Sequence, residues 1–300
     1  MVYIAFDPIY KHPLPEGHRF PMEKYELIPQ QLMHEGLAGK ENFFSPGTLT
    51  REEILQTHTT EYWESLTRLD LSDSEIRKIG FPLSEQLIRR EVCIAKGTLE
   101  GSYFSLEHGI AYNVAGGTHH SFTYKGEGFC ILNDQALAAN ILLNRGLVKK
   151  VLFVDLDVHQ GNGTAEIFKQ DNRVFTFSMH GAGNYPFHKE KSDLDIGLPD
   201  QIGDEAYMQL LNFHLDILLE REKPDFIFYQ AGVDILATDK LGRLKISREG
   251  CQNRDRKVIS EAWKRKIPIM VSMGGGYSPN IRDILEAHIN TFRVGLDYFG

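Results

Sequence analysis

Asp157 and His159 stand two residues apart at the end of an apolar run, VLFVDLDVHQGNG (Val151–Gly163), with Asp155 two residues earlier. Side chains alternate along an extended segment, so an Asp and a His at this spacing turn to one side. A carboxylate and an imidazole so placed are a metal-site candidate. Alone, the pair reads more readily as a turn-capping aspartate beside a core histidine. Asp234, which follows a second apolar run at Phe226–Tyr229, favours the metal reading. Three N/O ligands leave a fourth position open, the form of a catalytic zinc site. The tandem His119–His120 could supply a general base and an electrostatic partner, because imidazole titrates near neutrality. Two loop histidines on the surface are the bland alternative. Tyr277, after Gly274–Gly275–Gly276, could place a phenol over a bound carbonyl, or be a buried aromatic beside a turn. The glycine run lacks the Lys-Ser/Thr of a phosphate loop and is not read as one. Cys130 reads as a buried, inert thiol. Phe129, Tyr185 and Phe187 could wall an apolar channel or be core and rim.

The elements that must carry these groups alternate from Val151 onward. Strands are expected at Val151–Asp155, Arg173–Met179, Phe226–Tyr229 and Pro268–Met273, each an apolar run of the kind buried on both faces. Helices are expected at Thr164–Lys169, Asp204–Glu222, Arg248–Arg265 and Pro279 to about Val294. In Asp204–Glu222, Leu210, Leu211, Phe213, Leu215, Ile217 and Leu218 are assigned to the apolar side. Earlier, Val2–Phe6 reads as a strand and Met22–His34 as a weak helix. Thr50 and Glu53 form a capping box, and Leu83 to Tyr103 lie on one long amphipathic helix. Asp134 is expected to cap a helix over Gln135–Arg145. Gly109–Gly117 is left without a strand, and His180–Pro199 is expected to be a long loop of the functional kind. The alternation means a parallel α/β sheet, whose strand ends share one edge. Asp155, Asp157, His159, Asp234 and Tyr277 would converge there.

Composition narrows the rest. The chain has 300 residues, 42% hydrophobic and 25% charged, an ordinary globular balance with one domain expected over 1–300. A net charge of −8 argues against direct nucleic-acid binding. The three cysteines form no CxxC pair, which suits a reducing compartment. No leader and no 18-residue apolar run are visible, so the expectation is a cytoplasmic protein with no membrane contact.

Taken together, GGTHHSF, GEGFCILND, VLFVDLDVHQGNGTAEIF, AGVDILATDKLGRL and SMGGGYS resemble the zinc-dependent histone deacetylase family, with its bacterial members and acetylpolyamine amidohydrolases. The resemblance covers nearly the whole chain. VHQGNG and the N-terminal HPLPEGHRFPMEKY are most similar to the class IV branch. It implies an arginase-like, three-layer α/β domain with about eight parallel strands. It implies one zinc on Asp157, His159 and Asp234, His120 as general base and acid, Tyr277 polarising the carbonyl, and Asp155 orienting His119. A structural potassium or sodium would sit on Asp155, Ser178 and Met179 with the carbonyls of Asp157 and His159. Phe168, Asp171 and Val174 match part of a second cation site. Gly128, Phe129, Tyr185, Gly275 and Gly276 match the substrate tunnel, and Arg19 an arginine near the inner cavity. The implied reaction removes acetyl or a longer acyl group from lysine in a protein or peptide. An acylated polyamine is the alternative substrate, a non-catalytic acyl-lysine binding module the alternative of another class, and a dinuclear manganese site lacks the carboxylates it needs. Asn162 stands where class I members have a second aspartate, so His120 is expected to be less basic than its class I counterpart.

Overall fold

The computed structural model describes all 300 residues. Eight strands form one sheet: β1 (Tyr3–Ala5), β2 (Phe43–Phe44), β3 (Ile110–Asn113), β4 (Val151–Asp155), β5 (Val174–Gly181), β6 (Leu194–Leu198), β7 (Phe226–Gln230) and β8 (Ile269–Ser272). Their order is β2-β1-β3-β8-β7-β4-β5-β6, and all the pairings are parallel. Ten helices flank it: α1 (Lys24–His34), α2 (Arg51–Ile54), α3 (Thr60–Thr67), α4 (Asp73–Ile79), α5 (Glu85–His108), α6 (Asp134–Asn144), α7 (Asn162–Phe168), α8 (Asp204–Glu222), α9 (Arg248–Arg265) and α10 (Ile281–Phe299). The fold is the expected three-layer α/β arrangement.

Successive residues of β3 show why both faces are covered. Tyr112 packs against Phe292 of α10, ring centroids 4.6 Å apart, while Ala111 points the other way, at Gly101 of α5. Every residue of β3, β4, β5, β7 and β8 is buried. This is why their sequences read as unbroken apolar runs rather than as alternation. Strand β4 pairs with β5 on one side and β7 on the other. The chain leaves β4 toward β5 and β6, then crosses back to β7 and β8. The crevice between the ends of β4 and β7 is therefore the switch point, where such sheets bind ligands.

Several local expectations needed correction. A short strand, β3, lies inside Gly109–Gly117, and β6 lies inside the expected His180–Pro199 loop as a half-exposed edge strand. Helix α7 starts at Asn162 rather than Thr164. Asn133, not Asp134, caps α6: its side-chain oxygen accepts from Ala136 N at 3.0 Å. Asp134 instead accepts from Thr118 N at 2.8 Å, and from the Thr98 and Thr118 hydroxyls. It thereby holds the turn before His119. On α8, Phe213 and Ile217 face solvent, 63% and 46% exposed, because only one stripe of the helix meets the sheet. The Thr50–Glu53 capping box forms as expected. No helix is long and apolar enough to cross a membrane.

Candidate active site

The β4 end delivers Asp155, Asp157 and His159, and the β7 end delivers Asp234, because the register sets Asp155 beside Gln230. Asp157, His159 and Asp234 are buried, with ligand atoms all within 4.8 Å of one another. His159 Nδ1 lies 3.1 Å from both Asp157 Oδ1 and Asp234 Oδ2. Backbone N–H groups hold the other oxygens: Gly275 N donates to Asp157 Oδ2 and Val158 N to Asp234 Oδ1, each at 2.9 Å. A Cβ built on Gly275 would come 2.0 Å from Asp234 Oδ2, and one on Gly232 would come 2.1 Å from Asp157 Oδ2. The glycines therefore give the carboxylates their space.

Two buried carboxylates facing one point are unstable without positive charge between them. Burial and the Asp157 charge push Asp234 up to about 7. Burial opposes charge on His159, yet its hydrogen bonds to both carboxylates lift it to about 10. The trio thus seeks a cation, and the donor set of two carboxylates and an imidazole suits a zinc-like ion.

The tandem histidines flank this point and differ in environment. His119 Nδ1 meets Asp155 Oδ2 at 2.7 Å. Burial works against its charge, but Asp155 and Asp157 outweigh that and raise it to about 9. His120 Nδ1 meets Asn162 Oδ1 at 2.6 Å. Burial, then the charges of His119 and His159, push His120 well below its ordinary value. The Asn162 hydrogen bond acts the other way, raising it, and is outweighed by burial and the two neighbouring imidazoles. The two rings therefore favour opposite protonation states, the arrangement that separates a charged partner from a free base.

A cavity of about 440 Å³ opens onto these groups, lined by His120, His159 and Tyr277 at its base and by Gly128, Phe129 and Tyr185 along its walls. Phe187, 79% exposed, stands at the mouth as rim rather than core. Phe129 has a positive φ of 67° and is held by its N–H to Ile79 O at 2.7 Å. Burial pushes the Tyr277 phenol well above its ordinary value, so it stays protonated as a donor. Cys130 is buried and its thiol is pushed up by that burial, consistent with an inert role. Arg19 is among the residues lining the cavity, its guanidinium 4.9 Å over the Phe129 ring. Of the expected cation-site residues, Ser178 stands beside Asp155 in the β4–β5 register, and Met179 follows it. Phe168, Asp171 and Val174 share a turn away from the cavity. In it Asp171 N donates to Phe168 O and Val174 N to Asp171 O, both at 3.0 Å.

Four supporting residues escaped the sequence reading. Asp239 Oδ2 accepts from Tyr277 N at 2.6 Å, and its Oδ1 accepts from Leu241 N and Gly242 N at 2.8 Å. It ties the tyrosine to a loop at the cavity mouth. Lys24, fully buried at the start of α1, donates from Nζ to Gly274 O at 2.8 Å. Arg254 of α9, also fully buried, donates to the carbonyls of Leu156, Ala231 and Gly232 and so clamps both ligand-bearing strand ends. Glu127 accepts from Asn162 and Tyr185. Glu127 and Asp239 lie within motifs that carried the resemblance, which was the available signal. Lys24 lies within HPLPEGHRFPMEKY, which also carried the resemblance, and Arg254 gave no signal beyond its helix.

Comparison with known proteins agrees with this geometry. A histone deacetylase domain matches residues 18–292. An uncharacterized protein of Picosynechococcus sp. (strain PCC 7002) is 42% identical over 296 residues, covering 99% of each chain. Histone deacetylase 2 of Arabidopsis thaliana is 29% identical over 93% of this chain and 75% of that one. Histone deacetylase RPD3 of Saccharomyces cerevisiae is 31% identical over 87% of this chain and 64% of that one. Among solved structures, an HDAC homologue complexed with SAHA superposes with a TM-score of 0.84 at 23% identity, over 98% of this chain and 84% of that one. An HDAC homologue from Aquifex aeolicus gives 0.82 at 21% identity, over 98% and 84%. These two speak for the fold. With a domain match running through nearly all of the sheet and every strand end described above, the chain belongs to the histone deacetylase family.

Proposed function

We propose that this chain is a zinc-dependent amidohydrolase that removes an acyl group from a lysine side chain. The observation that carries the reading is the meeting of Asp157, His159 and Asp234 at the base of a cavity that also presents His120 and Tyr277. Bound by those three groups, zinc would supply a Lewis acid and a water acidified toward about pKa 7. The chain's own residues supply the rest. Phe129 and Tyr185 flank the aliphatic stem and exclude water around the amide. His120 accepts the proton of the attacking water at Nε2 and returns it to the departing amine. Tyr277 Oη donates to the oxygen on which negative charge develops. His119, held by Asp155, keeps a positive charge near the same place. Asp155 and Ser178 with neighbouring carbonyls are the place for a structural potassium or sodium.

The test is hydrolysis of acetyl- and longer acyl-lysine peptides by zinc-loaded protein, with metal content measured on the same samples. Activity should follow bound zinc, and Tyr277→Phe should lose about 10²–10³ in kcat while keeping its metal. Full activity in that variant would remove the tyrosine from the mechanism. Zinc-loaded protein that binds acyl-lysine without turnover would restore the binding-module reading.

A further inference from the structure

The cavity mouth carries Arg19, Lys78 and Arg243, and above the Asp157–His159–Asp234 base no aspartate or glutamate is among its lining residues. This runs against the chain as a whole, whose net charge is −8. The three cations come from segments far apart in sequence, yet each is fastened to a wall. Arg19 lies over the Phe129 ring, 4.9 Å from its centroid. Lys78, at the end of α4, accepts Gly128 N on its carbonyl at 2.9 Å. Arg243 follows the loop whose Leu241 carbonyl accepts from Asn184 Nδ2 at 2.6 Å, next to Tyr185. Arg243 shares its charge with Asp200 at 3.5 Å, an exposed pair of small energetic consequence. The remaining positive potential is focused at the entrance, where low-dielectric aromatic walls concentrate it.

At the base of the cavity the positive groups are already engaged, His119 by Asp155 at 2.7 Å. Lys24 is committed to Gly274 O beneath the glycine run, and Asp157 and Asp234 face the reacting centre. A negative charge on the acyl chain would be unwelcome there. A negative charge beside the lysine Cα, one stem-length further out, would meet the three cations. Resting on the deacylase reading above, we infer that the site selects acyl-lysines with a carboxylate next to the lysine Cα. It disfavours polycations, both acylated polyamines and acyl-lysines set among other lysines and arginines. The carboxylate could come from acidic neighbours in a peptide or from the free α-carboxylate of the amino acid.

The experiment uses the zinc-loaded full chain and end-capped peptides with one acetyl-lysine flanked by Asp/Glu, Ala or Lys/Arg. Free Nε-acetyl-lysine, its α-amide and acetylspermidine complete the panel. Two readouts are taken, kcat/KM and the affinity of fluorescently labelled peptides by anisotropy. Acidic flanks should exceed basic flanks by about tenfold at low salt, through KM and affinity, and the gap should close near 0.5 M salt. Acetylspermidine should be the poorest substrate. A preference for free acetyl-lysine over its amide would assign the effect to the α-carboxylate, and a preference confined to the peptides would assign it to acidic neighbours. The pair Arg19→Glu with Lys78→Glu should invert the order of acidic and basic peptides. Turnover and affinity indifferent to flanking charge, or an order unchanged in the charge-reversed pair, would overturn this inference and leave the deacylase reading intact. Charge-selective binding without turnover of any substrate would overturn the deacylase reading and leave the mouth as assigned.

Discussion

Glu127 Oε1 accepts from Asn162 Nδ2 at 2.7 Å, and from Tyr185 Oη at the same distance. A carboxylate only accepts, so the Asn162 amide must turn its NH₂ outward and its oxygen toward His120. His120 therefore carries its proton on Nδ1 and keeps the Nε2 lone pair toward the cavity, the tautomer a general base needs. One carboxylate thus sets both the base and a tunnel wall. Glu127→Ala should lower kcat about tenfold, a fraction of what a positioned base contributes, and should leave zinc content unchanged. Glu127→Gln keeps one acceptor oxygen and should retain most of the activity. Equal rates for the Ala variant and the parent protein would show that Asn162 needs no such support.

The same chain of bonds predicts a pH effect. Burial and neighbouring charge hold His120 well below its ordinary value, so the free base persists as pH falls. Asn162→Asp alone would set a second carboxylate against Glu127, and the two would share a proton. Combined with Glu127→Gln, the introduced amide donates to the introduced carboxylate, which then faces His120 as an ion. An opposite charge there raises the imidazole pKa, by about one to two units. Above that pKa the base is free in both proteins; below it only the parent stays active. The acid limb of the kcat/KM profile should therefore move upward in the double variant. An unmoved limb would mean that another group governs it.

Lys24 separates stability from activity. Burial pushes its ammonium down to about 8 from the ordinary 10.5, a cost to folding of about 3 kcal/mol at neutral pH. Its hydrogen bond to Gly274 O returns part of that. Lys24→Met should therefore fold with stability within about 1–2 kcal/mol of the parent, or above it, while kcat falls as the loop before Tyr277 loosens. Between pH 8 and 10.5 the folded lysine has lost its proton and the unfolded one has not, so the parent gains stability with rising pH. The variant lacks that gain. Denaturant melts at pH 7 and 9.5 measure it, and parallel curves for the two proteins would contradict a buried, destabilised ammonium.

What could be read from sequence followed a physical rule. Asp157, His159 and Asp234 were legible because buried parallel strands appear as apolar runs, and a polar residue at the end of such a run must face the shared sheet edge. Strand β3 was hidden by its length of four residues and its glycine surroundings. Strand β6, LDIGL, was hidden because an edge strand needs no apolar run. Glu127, Lys24, Asp239 and Arg254 were not assigned roles because each acts on a backbone or side-chain group far along the chain. Lys24 reaches Gly274 across 250 residues, and Arg254 reaches Leu156 across 98. Hydrophobic periodicity reports which face of an element is buried; it carries nothing about which polar partner meets it.

Gly275 gives the most direct test of the metal site. Its N–H holds Asp157 Oδ2 at 2.9 Å. A Cβ there would sit 2.0 Å from Asp234 Oδ2 and 2.9 Å from Asp157 Oδ2. Gly275 is not among the residues with positive φ, so alanine meets no backbone penalty. The added methyl must instead displace the two carboxylates, and with them the point where both meet His159. Gly275→Ala should therefore lose most of its bound zinc and activity while circular dichroism stays that of the parent. A metal that binds the folded state alone stabilises it in proportion to the logarithm of its concentration. Added zinc should accordingly raise the melting temperature of the parent protein and leave that of the variant nearly unmoved. A variant that holds one zinc per chain, with the parent's shift in melting temperature, would show that Asp157 and Asp234 do not bind it together.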